Sequence, residues 1–335
     1  MSFGHHDVER KTLGILRVLS NLHKPAGSRV ISQHLKDQGL DLGERAVRYH
    51  LKLMDERGLT QLVDRHDGRT ITERGLSELR SALVKDKVGF AISRIELLAF
   101  QTSLDYEHRT GSIPVNVSIF RRDRFRKALQ AMRPVFDHGF CVSPLVAVVE
   151  SKQRIGDIVV PDGTIGLATV CSVVVNGTLL KAGIPMDSRF GAILQVEKHK
   201  PLRFTEIIQY DGCSLDPSEI FIKAKMTAVR EATATGSGRI LANFREIPAA
   251  CRSLAETVVE GLKSAGVSGT LMIGNPSEDI CETTVDPNKI GIILLGGLNP
   301  VAAAHEAGIE AENHSMSTTL DYENLVDYRE VLCGS

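Results

Sequence analysis

The sequence lacks the features that mark several large classes of protein. No run approaches 18 consecutive apolar residues. The longest, such as Thr169 to Val175 and Ile290 to Leu295, have the size of a strand or a core helix, so no membrane span is expected. The polar, histidine-bearing start has no apolar signal-peptide core, which points to a cytoplasmic protein. Six cysteines, at 141, 171, 213, 251, 281 and 333, form no CxxC pair and are scattered, a pattern of reduced thiols rather than of a disulfide framework or a structural zinc site. Neither GxGxxG nor GxxxxGK[ST] occurs, which argues against a standard nucleotide site. GxSxG and HExxH are missing too, and Cys213 in the turn DGCSLD has no evident base beside it. The expectation is a chain that is not an enzyme and has neither a cofactor nor a metal.

What is present is an ordinary globular composition, 42% hydrophobic and 24% charged, spread over 335 residues. That length suits two or three domains. The formal net charge of −1 conceals an uneven distribution. Residues 1–85 carry 15 Lys and Arg against 11 Asp and Glu, while residues 86–335 carry 25 against 30. A basic head on a mildly acidic body can meet a polyanion through one end only.

The head reads as a sequence of short elements. Leu13, Leu16, Val18, Leu19 and Leu22 have helical spacing. After the break at His23 to Gly27, Ser28 is the expected N-cap of a second helix that buries Val30, Ile31 and Leu35. A third helix, ERAVRYHLKLMDERG, places Val47, Leu51, Leu53 and Met54 inward, with Glu44, Arg45, Arg48, Tyr49 and Lys52 largely on the other side. Asp67-Gly68 then signals a hairpin, and Thr72 starts another helix through Leu76, Leu79 and Leu83. Three helices, a two-stranded hairpin and a further helix, in that order, make a winged helix-turn-helix, mainly α with a β wing. In that arrangement the third helix can enter the major groove, where Arg45 and Arg48 offer guanidinium donors to base edges or phosphate and Tyr49 and Lys52 touch the backbone. Arg65, His66 and Arg69 belong to the wing, suited to phosphate or the minor groove.

The expected organisation is multidomain: the winged helix at 1–84, a connector helix at 85–100, and an α/β (α+β) regulatory domain in two halves, 101–235 and 236–332. Strands are expected at Gln101 to Leu104, Ile113 to Phe120 and Phe140 to Val149, with a helix from Arg121 to His138. A similar order recurs at Ile240 to Phe244, Pro248 to Lys263 and Thr270 to Ile273. VVPDGTIG at 159–166 matches TVDPNKIG at 284–291, and the AGI at 182–184 matches the AGI at 307–309, both at an offset of 125. Phe120-Arg121 falls on Phe244-Arg245 at 124, and Gly139 on Gly266 at 127. Four landmarks in one order at nearly constant spacing read as an internal pseudo-repeat.

Each half holds a glycine-bearing segment that precedes or contains a helix, VCSVVVNGTLLKAGIP and LLGGLNPVAAAHEAGI. Exposed amides behind Gly296, Gly297, Asn299 and Pro300 can hold a carboxylate or phosphate, or the glycines simply make a tight turn. Asn176, Lys181, Arg189, Asn299 and His305 are polar within apolar or glycine-rich surroundings. Lys181 and Arg189 could neutralise a carboxylate effector that the two asparagines orient.

Together the winged helix, FAISRIELLAF, GSIPVNVSIF, DGTIGLATVCSVVVNGTLLKAGIPMDSRFGAILQVE and IGIILLGGLNPVAAAHEAGIEAE resemble the NrpR nitrogen-regulatory repressor family, over nearly the whole chain. The resemblance implies a homodimeric transcriptional repressor that binds a palindromic, double-stranded DNA operator and is released by 2-oxoglutarate. It places the recognition helix at Glu44 to Lys52, the wing at Arg65 to Arg69 and the effector and dimerisation region at 101–332. The family's better-known pattern has two large regulatory domains after the winged helix, and one fits here. Two other classes stay open: a metabolite enzyme with a DNA-binding or localising head, and a winged helix used as a protein-interaction module.

Overall fold

The computed structural model describes residues 3–22, 24–37, 40–64, 68–81, 89–156 and 158–334. The chain divides into two compact units, Met1–Lys87 and Val88–Ser335.

In the first unit α1 (Phe3–Leu22), α2 (Ser28–Asp37) and α3 (Glu44–Glu56) precede an antiparallel pair, β1 (Thr60–Asp64) and β2 (Gly68–Ile71), and α4 (Glu73–Ser81) follows. The amphipathic spacing explains the packing: Ile15, Leu16, Val18 and Leu19 of α1 close on Ile31 and Leu35 of α2 and on Val47, Leu51 and Met54 of α3. Burying each such side chain stabilises by roughly 1.5–3 kcal/mol. Ala26 and Arg69 exchange backbone bonds of 2.9 and 3.0 Å, which ties the loop before α2 to the wing. The cap of α2 differs from expectation. Ser28 lies inside the helix and its hydroxyl donates to Glu44 Oε1, while the Gly27 carbonyl accepts the Ile31 amide. Thr72 does cap α4, its Oγ1 accepting the Gly75 amide at 3.0 Å.

The second unit opens with α5 (Phe90–Gln101), β3 (Ser112–Arg121), α6 (Arg122–Asp137), β4 (Leu145–Val149), the small pair β5 (Arg154–Ile155) and β6 (Ile158–Val159), β7 (Thr164–Val170) and α7 (Val173–Lys181). A long hairpin follows, β8 (Asp187–Glu197) and β9 (Lys200–Gln209), then α8 (Pro217–Lys223), α9 (Val229–Thr235), β10 (Gly238–Pro248), α10 (Arg252–Ser264), β11 (Thr270–Ile273) and β12 (Lys289–Leu295). The chain ends with α11 (Asn299–Glu306), β13 (Glu312–Asp321), β14 (Val326–Asp327) and α12 (Tyr328–Gly334).

Two expected strands change. Residue 101 belongs to α5, because the apolar spacing of Ile95, Leu98 and Ala99 continues and the buried Thr102 hydroxyl closes the turn on the Leu98 carbonyl. The strand expected from Phe140 begins only at Leu145, after Pro144, which has no amide to donate to a ladder. The run from Val173 to Val175 is β-branched yet helical. Burial on α7 between neighbouring elements outweighs its intrinsic preference for strand.

Two five-stranded antiparallel sheets are ordered β13-β3-β7-β4-β14 and β11-β12-β10-β8-β9. Neither sheet is built from one half of the domain. β13, late in the chain, pairs with β3, and β8, from the first half, pairs with β10. A single large core joins both sheets through Phe120, Leu129, Val174, Phe244, Val258 and Val301. Asn116 of β3 lies opposite Thr169, and Asn243 of β10 lies opposite Leu294.

Candidate DNA-binding surface and effector cleft

On the head, the outward face of α3 follows from its inward one. Val47, His50, Leu51 and Met54 are buried, which turns Glu44, Arg45, Arg48, Tyr49 and Lys52 to solvent. Tyr49 is 63% exposed, unusual for an aromatic residue without a partner surface. Arg48 pairs with Glu44 at 2.6 Å along the helix, a surface contact worth a few tenths of a kcal/mol that a phosphate can replace. Arg69 does not reach outward. Its Nε donates to Asp55 Oδ2 at 2.6 Å, and Asp55 Oδ1 accepts the Thr60 hydroxyl, so this arginine fastens the wing to α3. Arg65 and His66 lie outside the described residues. Leu62 and Val63 of β1 are about half exposed beside them in sequence.

In the body the polar residues singled out from sequence have other commitments. Asn299 is fully buried and clamps Leu241 by both its amide and its carbonyl, at 2.8 and 3.0 Å. Asn176 donates to Ser188 Oγ. Lys181 reaches the Phe100 carbonyl at 3.0 Å and covers that ring. Arg189 joins Lys289 in a network with Asp187, Glu246 and Asp286, in which the Lys289 ammonium holds Asp286 below the usual carboxylate range. Burial lowers the His305 imidazole below its ordinary range, and its Nε2 accepts the Ala311 amide. The Gly296 amide donates to the Leu241 carbonyl. Of the seven, Gly297 alone lines the cleft described next.

That cleft encloses about 20 Å³, the room of roughly one water molecule, beneath a mouth that brings its open space to about 290 Å³, and residues of both sheets line it. Arg245, from the middle of β10, is its principal charge. Its side chain is 1% exposed, its guanidinium carbon stands 4.7 Å from the centre of the Tyr210 ring, and its Nη1 donates to the Phe244 carbonyl. Nε has no partner. Asn116, 3% exposed, likewise leaves Nδ2 without an acceptor, while its Oδ1 takes the Met316 amide at 3.0 Å. A buried donor left unbonded costs about 1–3 kcal/mol. Both residues line this one cleft, which makes it the candidate place for an acceptor-rich molecule.

The surroundings favour an anion. Ser172 and Val173 begin α7, and Gly297 and Leu298 precede α11, so the positive ends of both helices open on the cleft. Gly297 has a steric reason to be glycine, because a Cβ there would lie 2.5 Å from Asn116 Nδ2 and 2.6 Å from the Val170 carbonyl. The Tyr210 hydroxyl donates to Asn243 Oδ1 at 2.5 Å, and Asn243 passes a bond of 3.2 Å to Ser172. Burial pushes the Tyr210 phenol up to about 12 and the Cys171 thiol to about 12, so neither is an acid or nucleophile near neutrality. Opposite them Asp216 caps α8 by accepting the Ser218 amide, and burial, with Glu219 nearby, raises its carboxyl to about 6. The sequence carried one overlooked signal for this site. Asn243, Arg245 and Glu246 interrupt an otherwise apolar strand, ILANFREI, and a charge inside a core strand needs a partner.

Comparison with known proteins decides the family. Residues 88–327 match the family described as NrpR regulatory domains NRD1 and 2. The chain belongs to the NrpR family. Residues 13–79 match the ribonuclease R winged-helix domain. The global nitrogen regulator NrpRI of Methanosarcina mazei is 40% identical over 95% of this chain and 98% of its own length. The global nitrogen regulator NrpR of Methanococcus maripaludis is 30% identical over 93% of this chain, and that of Methanocaldococcus jannaschii 32% over 95%. This chain spans only about half of those two longer relatives, 54% and 55%. A crystal structure of a nitrogen repressor-like protein from Methanococcus jannaschii superposes with a TM-score of 0.61 at 26% identity, covering 71% of this chain and 98% of that one. Among the described residues no helix is long and apolar enough to cross a membrane.

Proposed function

We propose that this member of the NrpR family is a DNA-binding transcriptional regulator, acting as a repressor on a palindromic operator, and that a small carboxylate seated in the Arg245 cleft releases it. Relatives named global nitrogen regulators, together with the winged helix, support the regulatory reading. The exposed row Arg45, Arg48, Tyr49 and Lys52 on α3 supports DNA as the partner. One small head covers one half-site, so two copies of the chain are required to span successive major grooves about 34–36 Å apart. The observation that carries effector control is the pair of unbonded, buried donors, Arg245 Nε and Asn116 Nδ2, on two residues that line one cleft. By resemblance to the family the effector is 2-oxoglutarate, whose carboxylates suit a buried guanidinium and an amide. The matching order of elements supports an origin of the body by duplication, with exchanged β8 and β13.

The test is selection of bound duplexes from random DNA by the full chain, with and without 2-oxoglutarate and with glutamine as a control. A palindrome that disappears on adding 2-oxoglutarate, and is kept with glutamine, is the expected outcome. Operator affinity unmoved by 2-oxoglutarate at fixed salt sinks the effector reading, and failure to retain any duplex at low salt sinks the DNA reading.

A further inference from the structure

The cleft wall contributed by β13 is irregular. Pairing of β13 with β3 slips between His314 and Thr318, and within that bulge Met316 holds φ at 48°, a left-handed conformation that a residue with a side chain rarely adopts. Bonds from two directions keep it there. From the cleft, Asn116 Oδ1 accepts the Met316 amide, and along β3 Ser317 Oγ accepts the Val117 amide at 3.1 Å. From the far side, Arg94 of α5 donates Nε to the Met316 carbonyl at 2.7 Å and Nη2 to the Ser317 carbonyl. Asn116 therefore grips the bulge with its oxygen while its nitrogen, buried, has no partner, and the residue lines the cleft. Ile95 and Leu98 of α5 pack in one cluster with Met316, Tyr210 and Val173, all three of which also line the cleft. In sequence, α5 is the element that follows the head, with residues 82–88 between α4 and Gly89.

We propose that the 315–317 bulge is the relay of effector control and Arg94 its positioning residue: an oxyanion taken by Asn116 Nδ2 resets the bulge, and Arg94 carries that change into α5 and so to the head. The proposal rests on the effector reading above. A ligand alters DNA affinity only through its preference between two arrangements of the protein, so the coupling element must have two. In this proposal the second arrangement sits at the bulge, because its left-handed residue is held by separate bonds from Asn116 and from Arg94.

The test uses the full chain and a duplex chosen by selection, at one salt concentration. Arg94→Met keeps the aliphatic stem and removes both donors. In the wild type 2-oxoglutarate is expected to weaken duplex affinity at least about tenfold. In Arg94→Met, calorimetric affinity for 2-oxoglutarate and affinity for duplex without it stay within about threefold of wild type, while 2-oxoglutarate weakens the duplex complex less than about twofold. Arg94→Lys, which restores a charged donor, recovers part of the release. An Arg94→Met chain released as fully as the wild type overturns the relay alone. A wild type that takes up no 2-oxoglutarate overturns the effector reading and the relay with it. Hydrogen exchange of the wild type reads the same relay without a variant. Added 2-oxoglutarate is expected to change protection at 90–101 together with 314–318, and a change confined to the cleft strands overturns the proposal.

Discussion

The two units keep their chemistry in opposite places. The head uses its buried face for apolar packing and leaves Arg45, Arg48, Tyr49 and Lys52 in solvent, whereas the body hides Arg245, Asn116 and Asn243 at 1%, 3% and 4% exposure. A surface arginine is well hydrated and gains little from any one contact, so the head depends on many contacts and on salt. A buried guanidinium has already lost its water, and one correct partner is worth several kcal/mol to it. The head is therefore suited to a large polyanion and the body to one small ligand.

The sharpest way to break this contrast is Arg245→Met. If the guanidinium awaits a carboxylate, 2-oxoglutarate affinity falls by about 3 kcal/mol or more, roughly a hundredfold, in calorimetry. Thermal stability stays level or rises, because an apolar side chain of similar length replaces a buried, incompletely bonded charge. A large drop in stability with ligand affinity intact would make Arg245 a purely structural group.

Reversing the head's charges, Arg45→Glu with Arg48→Glu, is expected to lower duplex affinity more than about tenfold and to reduce the slope of log affinity against log salt by about one for each phosphate no longer neutralised. Far-ultraviolet circular dichroism should not change, since both side chains are exposed. Binding that survives the reversal would move the DNA surface elsewhere.

Asp216 sharpens the account of the body. Folded, its carboxyl keeps a proton up to about pH 6, whereas the unfolded group loses it near pH 4. Between those values the folded state holds more protons, so stability falls as pH rises through the window. Asp216→Asn, which can still cap α8, should remove a loss on the order of 1–2 kcal/mol, discounted for its partial exposure, in denaturant titrations at pH 4.5 and 7.5. The wild type should also bind 2-oxoglutarate more tightly as pH falls toward 6, because an anionic Asp216 repels a second carboxylate. The smallest effect belongs to Lys181→Ala, expected to leave 2-oxoglutarate affinity unchanged and to cost less than about 0.5 kcal/mol.

How far the sequence was legible follows the range of the interactions involved. The head's elements, the connector helix and the strands flanking α6 could be read because helical spacing, a threonine cap and the Gly68 turn act over a few residues. The hairpin of β8 and β9 went unread. Its strands carry bulges at Ile193/Leu194 and Gln195/Val196, and β9 is exposed along most of its length, so strict alternation is lost. Among the polar residues of the body, Asn299 and Arg189 have the composition of a ligand site, yet the fold commits one to a backbone clamp and the other to an ion-pair network.

By itself the sequence determined the winged helix, the solvent-facing cations of α3 and the family, since each rests on local periodicity or on contiguous motifs. Only the tertiary structure decided that β8 pairs with β10 and β13 with β3, and that residues as distant as Asn116, Asp216, Arg245, Gly297 and Met316 share one cleft. That convergence depends on strand pairing across more than a hundred residues, and no pattern within a short stretch of chain specifies which strand will be the neighbour.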